Sequence, residues 1–330
     1  MRVFLTHNPE DRDAYYGRSQ PRLEEIAEVV VNPTDRDLTT PELVEAAEGC
    51  EVIVAHRATP GEAGVFKALP NLVAFLRTAV DISTIDVDAA TAAGVLVGHA
   101  DKSFVPSTAE LALSLLMDTA RSVSASTVDY QNGMQPPQRP GRQLRGQTAG
   151  VIGYGAIGSY LARLLRDIGM DVLVTDPYVT EVDEGVQRVE LDELLRRSDA
   201  VFPLAPDVPE TRGLIGTDAL ATMKQGATLI NVSRGELLDE DAVAMALDSG
   251  HLGALGMDVG MAPDQRPSPS LAGRPGVVAT PHLGGLTPEN ADAQAASSVE
   301  QVAAMLAGEM PPRTVNAADA TRLTSWWASR

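Results

Sequence analysis

The sequence predicts an α/β protein with two doubly wound parallel sheets. Its length of 330 residues indicates two domains, because a single hydrophobic core stops growing near roughly 250–300 residues. Short apolar runs alternate with helix-like segments in two successive series, which is the pattern of parallel sheets. A glycine-rich turn joins a strand to a helix at the start of the second series, as in nucleotide-binding sheets.

The first series predicts the smaller sheet. Apolar runs start at Val3 and recur at residues 29–31, 51–55, 72–76 and 95–97. Helix-like segments separate these runs, as expected for parallel strands joined by crossover helices. Two of these segments are residues 41–48, with Thr40 as the predicted N-cap, and residues 86–93.

The second series predicts a complete dinucleotide-binding sheet, because it contains six strands with helices between them. The predicted strands are residues 148–152, 171–176, 200–204, 228–232, 254–259 and 277–280.

A glycine fingerprint opens this second sheet. Gly153, Gly155 and Gly158 follow the strand at 148–152, and residues 159–168 form the next predicted helix. Gly153 suits the tight turn, Gly155 allows a pyrophosphate to approach the backbone, and Gly158 allows close helix–strand packing. Asp176 ends the next strand, 18 residues after Gly158. An acid in this position binds the ribose hydroxyls of NAD and disfavours the extra phosphate of NADP.

The remaining segments complete the predicted domain organisation. An apolar helix is expected at residues 107–122, an irregular proline-containing arm at 131–146, and a further helix at 290–306. We expect the C-terminal tail to return to the first domain. The predicted domains are therefore residues 1–99 with 288–330, which would bind the substrate, and residues 100–287, which would bind the nucleotide.

Charge and composition exclude several classes of partner. The formal net charge of −19 disfavours nucleic acid and anionic membranes, since both would be repelled. No apolar run approaches the ~18 residues of a membrane helix. The single cysteine, Cys50, fits a reducing compartment, and the N-terminus has no signal-peptide core. We therefore expect a cytoplasmic protein.

Four motifs resemble the D-isomer-specific 2-hydroxyacid dehydrogenase family, which includes phosphoglycerate, glycerate and formate dehydrogenases. They are NVSRGELLDEDA at 231–242, GHLGALGMDV at 250–259, TPHLGG at 280–285, and the loop at 203–215. They occur in family order and spacing, and weaker similarity at 85–90 and 108–111 extends the resemblance over nearly the whole chain.

The resemblance implies a Rossmann NAD-binding domain and a smaller flavodoxin-like substrate domain. It also implies NAD as cofactor, hydride transfer between nicotinamide and a 2-oxo or D-2-hydroxy acid, a small-molecule substrate, a homodimer and no metal. The implied cofactor-binding residues are Thr108, Gly153, Tyr154, Gly155, Ala156, Ile157, Gly158, Asp176, Pro177, Leu204, Ala205, Pro206, Thr211, Val232, Ser233, Arg234, Asp258, His282, Gly284 and Gly285.

The family's chemistry assigns roles to two residues. Arg234 offers a permanently charged fork for the substrate carboxylate and carbonyl. His282 is the acid/base, because an ordinary histidine titrates near working pH. The family also places a glutamate beside this histidine, but that place holds Pro263 here. Either Asp264 takes over this role, or His282 works without a carboxylate partner.

The substrate side departs from the family as well. Family members have a glycine-rich loop where this chain reads Ala79-Val80-Asp81. The charge of Asp81 would repel a substrate carboxylate unless Arg57 or Arg77 neutralised it.

Three functions remain open at this point: an NAD-dependent 2-hydroxyacid dehydrogenase, a catalytically weakened NAD(H)-binding protein, and a dehydrogenase of a carbonyl substrate that is not a simple carboxylate, for which Asp81 is selective. The remaining histidines are interpreted as structural; they are His7, His56, His99 and His251.

Overall fold

The computed structural model describes residues 1–138 and 140–330, which fold into two compact units. The first unit comprises Met1–Ser103 and Pro288–Arg330, and the second comprises Phe104–Thr287. Both units contain a parallel sheet covered by helices, so the predicted α/β fold class is confirmed.

Five parallel strands form the sheet of the first unit: β1 (Arg2–Leu5), β2 (Glu28–Val31), β3 (Val52–Ala55), β4 (Ala74–Arg77) and β5 (Leu96–Gly98). Their order is β2-β1-β3-β4-β5, which is the order of flavodoxin-like sheets. Alternate residues of β1 pack into separate clusters: Val3 and Leu5 on one face, Phe4 on the other. The sheet is therefore buried on both faces, as parallel sheets require.

Within the described residues, the first unit contains the α-helices α1 (Pro9–Asp11), α2 (Gln20–Glu24), α3 (Thr40–Ala46), α4 (Ala63–Ala68) and α5 (Val87–Ala92). The prediction that Thr40 caps α3 is wrong. Thr39 is the N-cap, and Glu42 completes a capping box with it, since a carboxylate three residues inside the helix reaches back to the cap N–H.

Seven strands form the sheet of the second unit: β6 (Thr148–Ile152), β7 (Asp171–Thr175), β8 (Val186–Arg188), β9 (Ala200–Pro203), β10 (Ala227–Asn231), β11 (Leu252–Met257) and β12 (Val277–Ala279). Their order is β8-β7-β6-β9-β10-β11-β12, which is the Rossmann order with one further strand at the edge. The six-strand prediction missed β8.

The second unit also contains α6 (Val105–Arg121), α7 (Val123–Gln131), α8 (Ala156–Asp167), α9 (Leu191–Arg197), α10 (Thr217–Thr222), α11 (Glu240–Asp248) and α12 (Pro269–Ala272). Helix α6 packs on α8. Its Leu115 and Leu116 lie in the same cluster as Leu161 and Leu165 of α8, while Met117 is 43% exposed. The prediction missed α7. The predicted arm at 131–146 includes Arg139, which lies outside the described residues.

The C-terminal segment belongs to the first unit. It contains α13 (Pro288–Leu306) and α14 (Thr321–Ala328). Val299 and Val302 of α13 join the cluster that contains Val3 and Leu5. The Tyr16 hydroxyl also pairs with the Ser298 hydroxyl at 2.6 Å. Sequence-distant segments thus complete one core.

Candidate active site

The glycine turn of the second unit provides open space at the N-terminus of α8. Gly153 has φ 99°, and a Cβ there would lie 2.9 Å from the Leu204 carbonyl. A Cβ on Gly158 would lie 2.0 Å from the Gly153 oxygen, whereas nothing lies within 4 Å of one on Gly155. Two glycines are thus needed for packing and the third borders free space. The helix N-terminus favours an anion there, so the turn fits the NAD pyrophosphate.

Asp176 is held beside this turn. Its carboxylate accepts hydrogen bonds from the Tyr154 N–H and the Tyr178 N–H, both at 2.8 Å. An arginine approaches Asp176 from the neighbouring edge strand. Strand β8 pairs with β7, and the Arg188 Nη2 lies 3.4 Å from the Asp176 main-chain oxygen. The acid predicted to bind ribose therefore has a cation nearby.

The other predicted nucleotide-binding segments follow the carboxyl ends of neighbouring strands. Leu204–Pro206 follows β9, Val232–Arg234 follows β10, and Asp258 follows β11. The Ser233 hydroxyl donates to the Ala205 carbonyl at 3.0 Å, which joins two of these segments. Carboxyl ends of parallel strands meet at one edge, where doubly wound sheets bind ligands. Contact of the individual residues with the cofactor stays a prediction.

The remaining predicted nucleotide-binding residues lie in the same unit. The Thr211 hydroxyl donates to the Pro206 carbonyl at 2.5 Å. Thr108, at the start of α6, is buried and packs against Gly284, where a Cβ would lie 3.3 Å from its methyl group. The loop that carries Gly284 and Gly285 is thereby packed against α6. Ala156 and Ile157 form the first turn of α8, and Pro177 follows Asp176 at the surface.

Asp258 organises the loop that carries His282. Its carboxylate, 1% exposed, accepts hydrogen bonds from the Thr280 hydroxyl at 2.6 Å and from the N–H groups of Leu283 and Gly284 at 2.7 Å. Its main-chain oxygen accepts from the His282 N–H at 2.9 Å. Buried carboxylates need such donors, and these four bonds determine the path of residues 280–284. Within this path His282 has φ 63°.

The ring of His282 is held by a main-chain group. Its Nδ1 lies 2.9 Å from the Asp264 carbonyl oxygen. The Asp264 carboxylate is 80% exposed and lies 3.8 Å from the Arg266 Nη2. Asp264 contacts the histidine through its backbone and not through its carboxylate. This arrangement agrees with the alternative in which His282 works without a carboxylate partner, although the sequence did not indicate the main-chain contact.

Arg234 is held by its own loop. Its Nη1 donates to the Ser233 carbonyl at 2.7 Å, and its carbonyl accepts from the Asn231 side-chain amide at 2.8 Å. Asn231 is fully buried at the end of β10. The guanidinium is thus oriented at the carboxyl edge of the sheet, on a segment anchored by a buried amide.

Arg77, a predicted substrate residue, is a buried arginine. The side chain is 0% exposed. Its guanidinium donates to the carbonyls of His56, Arg57 and Thr59 and to the Thr84 hydroxyl. Burial lowers the pKa of Arg77 to about 10, although the Asp81 charge opposes the shift. These acceptors use the Nη donors of Arg77, which therefore shapes the loop at 56–59. Contact of this buried side chain with substrate stays a prediction.

The other predicted substrate residues lie near this loop. Arg57 and Asp81 are exposed, and the Asp81 carboxylate accepts from the Ser83 N–H at 2.9 Å. Ala79 is buried, and its carbonyl accepts from the Ala100 N–H at 3.1 Å; Val80 is half-buried. Arg57 is therefore the predicted arginine whose side chain reaches the surface here.

Two histidines interpreted as structural lie at the carboxyl edge of the first sheet. His7 follows β1 and His56 follows β3, and their ring centroids are 5.0 Å apart. His56 Nδ1 lies 3.7 Å from an Asp11 carboxylate oxygen and 3.8 Å from one of Asp37. Burial lowers the pKa of both histidines. In this strand order β1 and β3 flank the switch point where ligands bind. The position of the two histidines at this point could not be inferred without the strand order.

The fold agrees with comparisons to known proteins. A family model described as "D-isomer specific 2-hydroxyacid dehydrogenase, NAD binding domain" matches residues 113–284. The D-3-phosphoglycerate dehydrogenase of Mycobacterium bovis is 38% identical over 290 residues, which cover 87% of this chain and 54% of that protein. The glyoxylate reductase of Korarchaeum cryptofilum is 32% identical and covers 96% of both chains.

A solved structure agrees as well. The D-lactate dehydrogenase of Escherichia coli superposes with a TM-score of 0.79 at 26% identity, over 96% of this chain and 100% of that chain. Fold and site thus define an NAD-binding dehydrogenase architecture. The chain belongs to the D-isomer-specific 2-hydroxyacid dehydrogenase family.

Two further findings concern the length of the match and the helices of the chain. The chain spans about half the length of the phosphoglycerate dehydrogenases that it matches, for example 54% of the M. bovis protein. Among residues 1–138 and 140–330, every helix is too short or too polar to span a membrane.

Proposed function

We propose that this protein is an NAD-dependent oxidoreductase that interconverts a 2-oxo acid and its D-2-hydroxy acid. One observation carries the proposal: the second unit holds the glycine turn, Asp176, Arg234 and His282 on the loops that follow its parallel strands. Nucleotide recognition and acid/base chemistry are therefore built on one sheet edge, which is where such sheets place their ligands. The family membership and the relatives named as reductases and dehydrogenases support it.

The residues of the chain divide the work between binding and proton transfer. Bound NAD(H) supplies or accepts the hydride. The Arg234 guanidinium would bind the substrate carboxylate and polarise its carbonyl, because a fork of N–H donors matches a carboxylate. His282 Nε2 would give a proton to the carbonyl oxygen during reduction and take it back during oxidation.

Asp81 supports a second candidate, a dehydrogenase of a carbonyl compound without a simple carboxylate. Asp81 is exposed, and its charge would repel a substrate carboxylate unless an arginine offset it. The sequence suggested Arg57 or Arg77 for this role. The Asp81 charge opposes the lowering of the Arg77 pKa, and Arg57 has an exposed side chain.

A substrate panel tests these functions. The purified protein is mixed with NADH and a series of 2-oxo acids, aldehydes and ketones, and the absorbance of the reduced nicotinamide is followed. Turnover of 2-oxo acids supports the main proposal, and turnover confined to compounds without a carboxylate supports the second. NADH binding without turnover of any compound would contradict both and indicate a nucleotide-binding protein without catalysis.

We further propose that the first unit binds the substrate, that the protein acts in the cytoplasm and that it forms a homodimer. The single cysteine, Cys50, is buried and free, which suits a reducing compartment. Several apolar side chains near α7 are exposed, as expected of an interface. They are Met117 (43%), Val123 (57%), Val128 (52%), Tyr130 (65%) and Met134 (53%). Sedimentation as a monomer at micromolar concentration would contradict the dimer.

A further inference from the structure

A tight turn at Ala262–Arg266 presents one carbonyl to His282. We name this segment the holding turn. The Ala262 N–H donates to the Arg266 carbonyl at 3.0 Å and closes the turn. Asp264 and Gln265 both have left-handed backbones, with φ 60° and 57°. Such angles are uncommon outside glycine and cost energy, so the surrounding contacts must maintain them. This conformation brings the Asp264 carbonyl to 2.9 Å from His282 Nδ1.

The holding turn is anchored next to the loop of Arg234. A Cβ on Gly235 would lie 2.4 Å from the carbonyl carbon of Gly260, so two main chains touch there. The Gly260 N–H also donates to the Gln265 carbonyl at 2.9 Å. At the far end, the Ser268 hydroxyl donates to the Glu240 carboxylate at 2.9 Å. Contacts before and after the turn therefore hold it in place.

We propose that the main-chain carbonyl of residue 264 is the group that positions the catalytic histidine, and that the Asp264 carboxylate is not needed. The proposal rests on the proposed function. A carbonyl oxygen can only accept a hydrogen bond, so Nδ1 carries a proton and neutral His282 keeps its lone pair on Nε2. During reduction, Nε2–H of the imidazolium gives its proton to the substrate oxygen as hydride reaches the carbon. The histidine is left neutral with Nδ1–H still bonded to the turn.

Three substitutions at one position separate backbone from side chain. Asp264→Asn and Asp264→Gly both remove the charge and tolerate a left-handed backbone, so both should keep far more activity than a variant that disfavours this backbone, with the pH profile of the parent. Asp264→Val also removes the charge, but its branched side chain disfavours this backbone. It should lower kcat on the order of 100-fold, the cost of a misplacement of about 1 Å, and leave NADH binding unchanged.

Two outcomes of this series would overturn the proposal. An equal loss in all three variants, with an altered pH profile, would mean that the carboxylate positions His282. Full activity in all three, with the folded state verified by circular dichroism, would mean that the turn does not position it.

A second measurement tests the positioning proposal without depending on turnover. NMR of the ¹⁵N-labelled protein, at a pH where the imidazole ring is neutral, reports which ring nitrogen of His282 carries the proton. The signals of His282 are identified by their absence from the spectrum of His282→Gln. We expect a protonated Nδ1 in the parent and in Asp264→Asn, whether or not a substrate has been found. A protonated Nε2 instead would overturn the positioning proposal, whereas a parent without any turnover would overturn only the proposed function.

Discussion

Arg77 is a buried charged residue that stabilises the conformation of a loop. Its guanidinium donates to the carbonyls of three residues in one loop (56, 57 and 59) and to the Thr84 hydroxyl, and its side chain has no exposed surface. Buried carbonyls that lose their donor cost about 1–3 kcal/mol each. The residue therefore stabilises the segment from which Arg57 extends to the surface.

Replacing this arginine should destabilise the protein. We expect Arg77→Met to lower the free energy of unfolding by about 3 kcal/mol or more, because several carbonyls lose a charged donor at once. Arg57→Ala is the matched control and should leave thermal stability almost unchanged while it weakens substrate binding. Urea unfolding of both variants measures the difference, and equal stability of the two would contradict this account of Arg77.

Asp176 should determine the choice of cofactor. Its removal takes away a negative charge and leaves Arg188, whose Nη2 lies 3.4 Å from the main-chain oxygen of residue 176, so Asp176→Ala should lower kcat/KM with NADH and raise it with NADPH. The ratio should change by tenfold or more, which corresponds to about 1–3 kcal/mol for one charged contact. Asp171→Ala, at the other end of β7, is the control and should keep the preference. An unchanged ratio in Asp176→Ala would count against a role in ribose recognition.

The strand–turn–helix segment at the start of the second sheet makes two glycines experimentally distinguishable. Gly158→Ala should lower both the melting temperature and NADH affinity, because its methyl group would meet the Gly153 oxygen at 2.0 Å. Gly155→Ala should leave the melting temperature unchanged, since nothing lies within 4 Å. It should still weaken NADH binding by roughly tenfold, because a methyl group there blocks the pyrophosphate. Calorimetry and NADH titration test the pair, and parallel behaviour of the two variants would be inconsistent with the model of the turn.

Long periodic elements were predictable from the sequence, and short ones were not. Strands β6 and β7 begin where the apolar runs predicted them, because central parallel strands are continuous apolar segments. Strand β8 was missed since its three residues, Val186–Arg188, lie at the sheet edge with little burial. Helix α7 was missed because none of its residues is buried, so its sequence shows no apolar stripe.

The candidate site was predictable where side chains act and unpredictable where the backbone acts. Motifs indicated Arg234 and His282 because their chemistry resides in the side chain. No sequence pattern indicates that the Asp264 carbonyl meets His282, because every residue has a carbonyl and only the turn geometry selects one. His7 and His56 lie 49 positions apart in the sequence, so only the order of the strands shows that they are neighbours in the fold.

Across the whole chain, each unit buries its own sheet on both faces, so each has the core of an independent domain. The cluster at the edge of the first unit makes its stability depend on pH. His7 is 1% exposed, and burial, the neighbouring His56 and the arginine charges lower its pKa well below 6.5. The folded protein keeps this ring neutral, whereas the unfolded chain takes up a proton near pH 6.5.

Unfolding should therefore become easier in mild acid. Because the unfolded state binds more protons there, the free energy of unfolding should fall as the pH drops from about 7.5 through 6.5 towards the lowered pKa of His7. His7→Gln should reduce this slope, whatever its effect on stability at neutral pH. His251→Gln, in the other unit, is the control. An undiminished slope in His7→Gln would show that other groups cause the acid sensitivity.

The central claim is that His282 carries the proton in NAD-dependent reduction on the second unit. The most direct measurement compares wild type and His282→Ala for kcat/KM with NADH and the best 2-oxo acid, together with the NADH dissociation constant. We predict a loss of activity of about 10²–10⁴-fold, the usual contribution of a general acid, with NADH affinity nearly unchanged. Activity of His282→Ala close to that of the wild type would contradict the claim.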